Sequence, residues 1–213
     1  PGVINLIWDA NTDADLAGPF VRSFGCPVGI ETDVNGAAMA EARWGAGVGQ
    51  GSLLYLTIGT GVGGGFVSGG RLLHGLSHPE MGHIRLPRHR DDRDFAGNCP
   101  FHGDCLEGLA SGPAVSARWG ASLSSLGGDH PGNAMIAWYL GQALCTFQAI
   151  MEPARIVLGG GVMGTPGLLE LVRREAAAAG AGYFAGDPGE VVVAPGLGAN
   201  SGLMGALAVA LGA

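Results

Sequence analysis

Residues 52–65 read SLLYLTIGTGVGGG. Ser52–Ile58 is a strong strand-forming run, rich in large aliphatic and aromatic side chains. It breaks into Gly59-Thr60-Gly61-Val62-Gly63-Gly64-Gly65, a turn with five glycines in seven positions. Phe66–Ser68 resumes the strand, Gly69-Gly70 is a hairpin signal, and Arg71–His74 would return beside it. Downstream, residues 85–105 are irregular and rich in His, Cys, Pro and Asp. Leu106–Arg118 reads as a helix and Asn133–Glu152 as a long helix with an apolar face. Arg155–Leu158 is a buried strand that ends in Gly159-Gly160-Gly161. Gly167–Ala179 is a helix, Val191–Ala194 a strand, and Ser201–Leu211 a closing helix. Strands alternating with helices make an α/β protein, and no internal repeat is visible.

Upstream of residue 52 the pattern changes. Pro1–Trp8 is apolar, Asn11–Asp15 reads as a turn with helix-capping residues, and Ala14–Phe24 reads as an amphipathic helix. Pro27–Thr32 reads as a short strand, and Gly36–Trp44, after Asp33, as a small-residue helix. A single strand cannot support a domain of its own. Residues 1–46 are therefore expected to be the end of a lobe whose front lies outside this chain.

The chain has 213 residues, of which 47% are hydrophobic and 14% charged, a balance that excludes intrinsic disorder. Glycine supplies 41 residues, roughly two and a half times the ordinary share of about 7%. It follows no Gly-X-Y period, which excludes collagen. All 11 basic residues are arginine, and the net charge is −7. An acidic chain with scattered arginines is a poor nucleic-acid binder, because that affinity comes mainly from neutralising phosphates. No run of 18 apolar residues marks a membrane span. Four cysteines without a secretory signal suggest a reducing, cytoplasmic setting, where cysteine means metal or packing more often than disulfide.

Four groups of residues can carry chemistry. The glycine turn after Ile58 can converge backbone N–H groups on an anion, with the Thr60 hydroxyl as a further donor. A tight hairpin with no ligand is the plain alternative. The second glycine turn, Gly159–Gly161, follows a strand at the end where ligands of α/β sheets sit, and ordinary strand-to-helix geometry also explains it. His83, Cys99, His102 and Cys105 are spaced H-x15-C-x2-H-x2-C. Two thiolates and two imidazoles suit tetrahedral zinc in a closed structural site. A Cys99–Cys105 disulfide, or free thiols with solvated histidines, is the alternative. Asp33, near a helix N-terminus, is either a cap or a base. Glu80 and Glu107 flank the metal candidates and would be drawn together if a metal closed the loop.

Taken in order, five stretches resemble the sugar-kinase branch of the ROK family: TDVNGAA from Thr32, LTIGTGVGGG from Leu56, GLSHPEMGHI from Gly75, CPFHGDCLEGLASGP from Cys99 and VLGGGVM from Val157. SHPEMGH and CPFHGDC are most similar to the fructokinases of that family. The resemblance implies an actin/hexokinase-like (ribonuclease H-like) ATPase fold. It implies a remnant of the N-terminal lobe over 1–46, with helix 200–213 packing back on it. The C-terminal lobe would then span 47–199 and include a zinc loop over 83–105. It further implies ATP-dependent phosphorylation of a hexose, D-fructose to fructose 6-phosphate first among them. Asp33 would be the base, and Thr32, Asn35, Glu80, His83 and Glu107 would face the sugar. Gly59, Thr60, Gly61 and Gly63 would contact phosphate, with Gly160 and Gly161 near the adenosine. Zinc would be structural, on His83, Cys99, His102 and Cys105, and Mg²⁺ would arrive with ATP. The partners implied are a hexose, ATP and a second copy of the chain, with no nucleic acid and no membrane. The family's Asp-x-Gly-Gly-Thr-Lys phosphate loop is absent from these residues, so the chain alone is expected to be inactive, and it is expected to be poorly stable because residues 1–46 and the closing helix would expose apolar faces meant for the absent half of the sheet. The competing reading is non-enzymatic: the effector domain of a ROK repressor, or a zinc-containing sugar-binding remnant.

Overall fold

The computed structural model describes residue 15 and residues 17–212. The apolar run Pro1–Trp8 and the first residues of the turn Asn11–Asp15 lie outside the described residues. One mixed sheet organises the rest, in the order β3-β2-β1-β4-β5. Its strands are β1 (Ser52–Ile58), β2 (Val62–Ser68), β3 (Arg71–Leu72), β4 (Arg155–Gly159) and β5 (Val192–Val193). β1, β2 and β3 form an antiparallel meander, while β4 and β5 run parallel to β1.

β1 is buried on both faces because alternate residues serve different cores. Leu54, Leu56 and Ile58 point into the larger one, and Leu53 and Tyr55 into the smaller. The larger core is covered by α5 (Pro131–Met151), α6 (Leu168–Gly180) and α3 (Leu106–Ala110). α5 is long and apolar enough by length and composition to cross a membrane (21 residues, mean hydropathy 1.3). Here Ile136, Leu140, Leu144 and Phe147 are buried against the sheet, so packing accounts for that apolar character. The smaller core is covered by α2 (Asp33–Trp44). α8 (Ser201–Gly212) then lies on α2 where Gly36 and Gly205 meet backbone to backbone. Glu41 of α2, fully buried, ties this layer to the chain after β5. It accepts from the N–H groups of Ala46, Gly196 and Leu197 and from Ser201 Oγ at 2.8–3.0 Å.

Three local readings of the sequence are corrected. Pro27–Thr32 is not a strand. No β partner stands beside it among the described residues, and a strand exists only through its neighbour. The glycine turn is shorter than its composition suggests, because Gly63, Gly64 and Gly65 belong to β2 and pair with Thr57, Leu56 and Tyr55. Gly64 is small because Met81 occupies the space where its Cβ would stand. The helix expected over Leu106–Arg118 is two helices, α3 and α4 (Gly112–Trp119). Ser111 caps α4 through Oγ, which accepts from Ala114 N at 3.3 Å, and a proline sits in the first turn. The break turns Gly112 toward the glycine turn, where its N–H donates to the Gly59 carbonyl at 2.7 Å.

Candidate active site and metal centre

The first residues of β2 are where the candidate groups meet. Val34, next to Asp33 at the start of α2, packs beside Gly63. The 3-10 helix Met81–His83 approaches from another side. There Gly82 lies so close to the Val62 carbonyl that a Cβ would stand 1.8 Å from its oxygen. From α3, Glu107 reaches over Gly61 and accepts the Val62 N–H through Oε2 at 3.1 Å. The elements bearing Asp33, Glu80, His83 and Glu107 are thus assembled on one strand end.

Thr32 is the N-cap of α2, its Oγ1 accepting from Asn35 N at 3.2 Å. This places Asp33 in the first helical turn, exposed, with Oδ1 accepting, among the described residues, only from the Val34 N–H at 2.8 Å. The cap belongs to Thr32, so the Asp33 carboxylate is available for other work. Asn35 is 1% exposed and turns inward rather than outward. Its Nδ2 donates to Glu31 Oε1 at 2.8 Å. Glu31, which the sequence reading passed over, also accepts from Thr32 N at 3.0 Å and bonds His74 Nε2 at 2.7 Å. Burial raises its pKa, but the hydrogen bonds from Asn35, Thr32 and His74 outweigh that and hold the carboxyl below its ordinary value. Glu80 is exposed, with Oε1 3.0 Å from His78 Nε2.

His83, Cys99, His102 and Cys105 come together, and their ligand atoms all lie within 4.8 Å of one another. His83 Nδ1 is 3.1 Å from His102 Nδ1, 3.4 Å from Cys105 Sγ and 3.7 Å from Cys99 Sγ, and Cys99 Sγ is 3.7 Å from His102 Nδ1. A tetrahedral zinc ion bonded at about 2.0 Å to nitrogen and about 2.3 Å to sulfur separates its ligand atoms by roughly 3.3–3.8 Å. The four side chains fit that ion. All four cysteines are free thiols, so the disulfide alternative is not formed. The hairpin Cys99–Gly103 supplies two ligands, and the pairing of Arg85 with Cys105 brings in the others. Burial and the neighbouring Cys99 sulfur push the Cys105 thiol up, while the N–H groups of Gly108 and Glu107 pull toward the thiolate. Both histidines turn Nδ1 inward, which leaves Nε2 of His83 as its outward nitrogen.

The two glycine turns face each other across a cavity of about 390 Å³. Gly59, Thr60 and Gly161 line it, with Gly112, Ser122, Ser124 and Thr165. Gly63 is not among the lining residues, because it lies inside β2 on the α2 side. Gly160 lines the neighbouring cavity and backs onto Ile58. No charged side chain lines the 390 Å³ cavity, so it suits the neutral part of a ligand. The hydroxyls of Ser122, Ser124 and Thr165 escaped the sequence reading, since isolated serines and threonines carry no spacing signal.

The profile of the ROK family matches residues 3–213. The chain is 50% identical over 204 residues to a fructokinase of Zymomonas mobilis subsp. mobilis, covering 94% of this chain and 68% of that protein. A ROK hexokinase from Thermus thermophilus superposes with a TM-score of 0.74 at 32% identity, covering 90% of this chain and 68% of that one. A ROK family glucokinase from Streptomyces griseus, solved with glucose and AMPPNP, superposes with a TM-score of 0.70 at 28% identity, covering 92% and 71%. The chain spans between 54% and 69% of the length of the curated fructokinases that it matches.

Proposed function

The chain belongs to the ROK family and has its actin-like α/β ATPase fold, and from that premise we propose that it forms the larger part of a hexose kinase acting first on D-fructose. The observation that carries this reading is the convergence on Val62–Gly64 of the elements bearing Asp33, Glu80, His83 and Glu107. In this reading Asp33 takes the proton from the attacking sugar hydroxyl. That oxygen forms a bond to the γ-phosphorus of ATP as the bond to the β–γ bridging oxygen breaks, and ADP leaves. An exposed carboxylate freed from capping by Thr32 suits the task. Thr32, Glu80, Glu107 and the outward nitrogen of His83 would orient sugar hydroxyls. Asn35, turned into the Glu31 cluster, would steady Thr32 and Asp33 instead of touching sugar.

The Gly59 N–H already donates to the Gly61 carbonyl at 2.8 Å, so the N–H groups of Thr60 and Gly61 would donate to phosphate oxygens, and the uncharged cavity beside Gly161 would take the nucleoside. Mg²⁺ would accompany the nucleotide and neutralise phosphate charge. His83, Cys99, His102 and Cys105 would hold zinc, which with four protein ligands fixes structure and leaves no open position. Zinc on Nδ1 would set the tautomer and orientation of His83.

An ADP-release assay with ATP, Mg²⁺ and a panel of fructose, mannose, glucose and N-acetylmannosamine tests this. It is run on this chain and on the same reading frame extended upstream. Turnover that favours fructose and is lost in Asp33→Ala supports the kinase. No turnover in either form, with zinc and sugar still bound, would replace it with the non-enzymatic reading.

A further inference from the structure

Residues 84–105 carry three of the four metal candidates but form no helix or strand, only the isolated pairings Arg85–Cys105 and Cys99–Gly103. Something else must order this segment. The structure supplies a buried anchor at its centre. Asp92 receives Arg118 on both oxygens, at 2.9 and 2.8 Å, with the two side chains 4% and 5% exposed. Tyr139 of α5 donates to Asp92 Oδ2 at 2.7 Å, and the Arg118 guanidinium lies 3.9 Å over the Phe95 ring. Asp92 is thereby pinned to α4 and α5.

Arg88 connects this anchor to the metal candidates. Its Nη2 donates to the carbonyls of Asp92 and Phe95, and its Nη1 to Asp104 Oδ2 at 3.4 Å. Asp104 directly precedes Cys105, and Arg85, two residues beyond His83, grips its other oxygen. A planar guanidinium that satisfies three acceptors fixes their relative geometry in a way a lysine cannot.

We propose that Arg88 is a positioning residue for the metal quartet, a strut that transmits the rigidity of the Asp92–Arg118–Tyr139 anchor to Asp104 and so to Cys105. This rests on the zinc reading of the quartet. Groups outside the ligand set that orient ligands typically change metal affinity by about 10- to 100-fold when removed. The same order is expected here.

The test is zinc affinity of the purified chain, measured by competition with a chromophoric chelator. Arg88→Met keeps the aliphatic stem and removes the strut, and its zinc dissociation constant should rise about ten-fold. Asp104→Asn should raise it too, and the double variant should be no worse than the weaker single, because both cut the same link. Arg90→Met, on the same segment with an 83% exposed side chain, should bind like wild type. Simple loosening of the fold by Arg88→Met would instead add to Asp104→Asn. If Arg88→Met does not fold, Arg88→Lys replaces it, with an intermediate affinity expected. Wild-type affinity in a folded Arg88 variant, or additive losses, overturns the strut and leaves the zinc reading standing. A folded wild-type chain that binds no zinc overturns both.

Discussion

Glu107 Oε2 accepts the backbone N–H of Val62 at 3.1 Å, across 45 residues of sequence. This one bond joins the helix that follows Cys105 to the strand that leaves the glycine turn. It ties the segment of the four Cys and His residues to the glycine turn, two features that lie well apart in the chain. It engages Oε2, while Glu107 Oε1 has no hydrogen-bond partner among the described residues.

Glu107→Gln keeps an acceptor for Val62 N–H and loses the charge, whereas Glu107→Ala leaves that N–H unpaired. The alanine variant should therefore lose about 1–3 kcal/mol of stability and the glutamine variant much less. Both should raise KM for the sugar more than KM for ATP. Urea melts and steady-state kinetics, run side by side, check the two halves.

Asp33→Asn should lower kcat by about 10²- to 10⁴-fold, the usual range for loss of a general base. The melting temperature should not move, because Thr32 caps α2 and an asparagine oxygen can still accept from Val34 N–H. A large drop in stability would mean that the carboxylate serves the helix instead.

Metal analysis should return about one zinc per chain, lost in Cys99→Ser or Cys105→Ser. Chelation should lower the melting temperature and expose residues 84–105, which have no helix or strand to order them, to trypsin at Arg85, Arg90 and Arg93. Unchanged digestion after chelation would separate the order of the segment from the metal.

The buried anchor should show in the pH dependence of stability. Burial opposes the charge on Asp92, but Arg118 and Tyr139 outweigh it and hold its carboxyl below the ordinary 3.8. The unfolded chain then takes up the proton first, so the stability that Asp92 contributes is lost as pH falls below about 4. Burial, and then the bond to Asp92, push the Tyr139 phenol from 10.0 up to about 12. Here the unfolded chain ionises first, so stability falls as pH rises from about 10 to about 12. Burial also raises the Tyr55 phenol, so melts in the alkaline range should show a smaller step in Tyr139→Phe than in the wild type.

Thr165 is 5% exposed, lines the 390 Å³ cavity, and its Oγ1 has no hydrogen-bond partner among the described residues. Thr165→Val preserves the shape and removes the hydroxyl. Because that oxygen is sealed from solvent, the change should leave nucleotide binding unaltered and stabilise the fold by about 1 kcal/mol, the cost of a buried hydroxyl without a partner. Thermal melts beside a fluorescent-nucleotide titration read both effects.

The local features of this protein are legible in its sequence. The bounds of β1 can be read from Ser52–Ile58 alone, because a dense β-forming run between glycines has one local solution. The four Cys and His positions could be picked out by spacing, and the family by five ordered motifs, for the same reason: each is written within a short stretch. Tertiary structure decided the rest. Pro27–Thr32 has strand-like residues but no β partner among those described, and no single stretch can reveal that. Gly63–Gly65 look like turn residues and are strand residues, because Met81 and the start of α2 need the room that side chains would take. Glu41 and Asp92 look like ordinary surface carboxylates, yet they are held by donors 160 and 26 residues away. Burying a charge is favourable only when such partners arrive together, and their arrival is a property of the folded chain, not of the neighbourhood in which each residue is written.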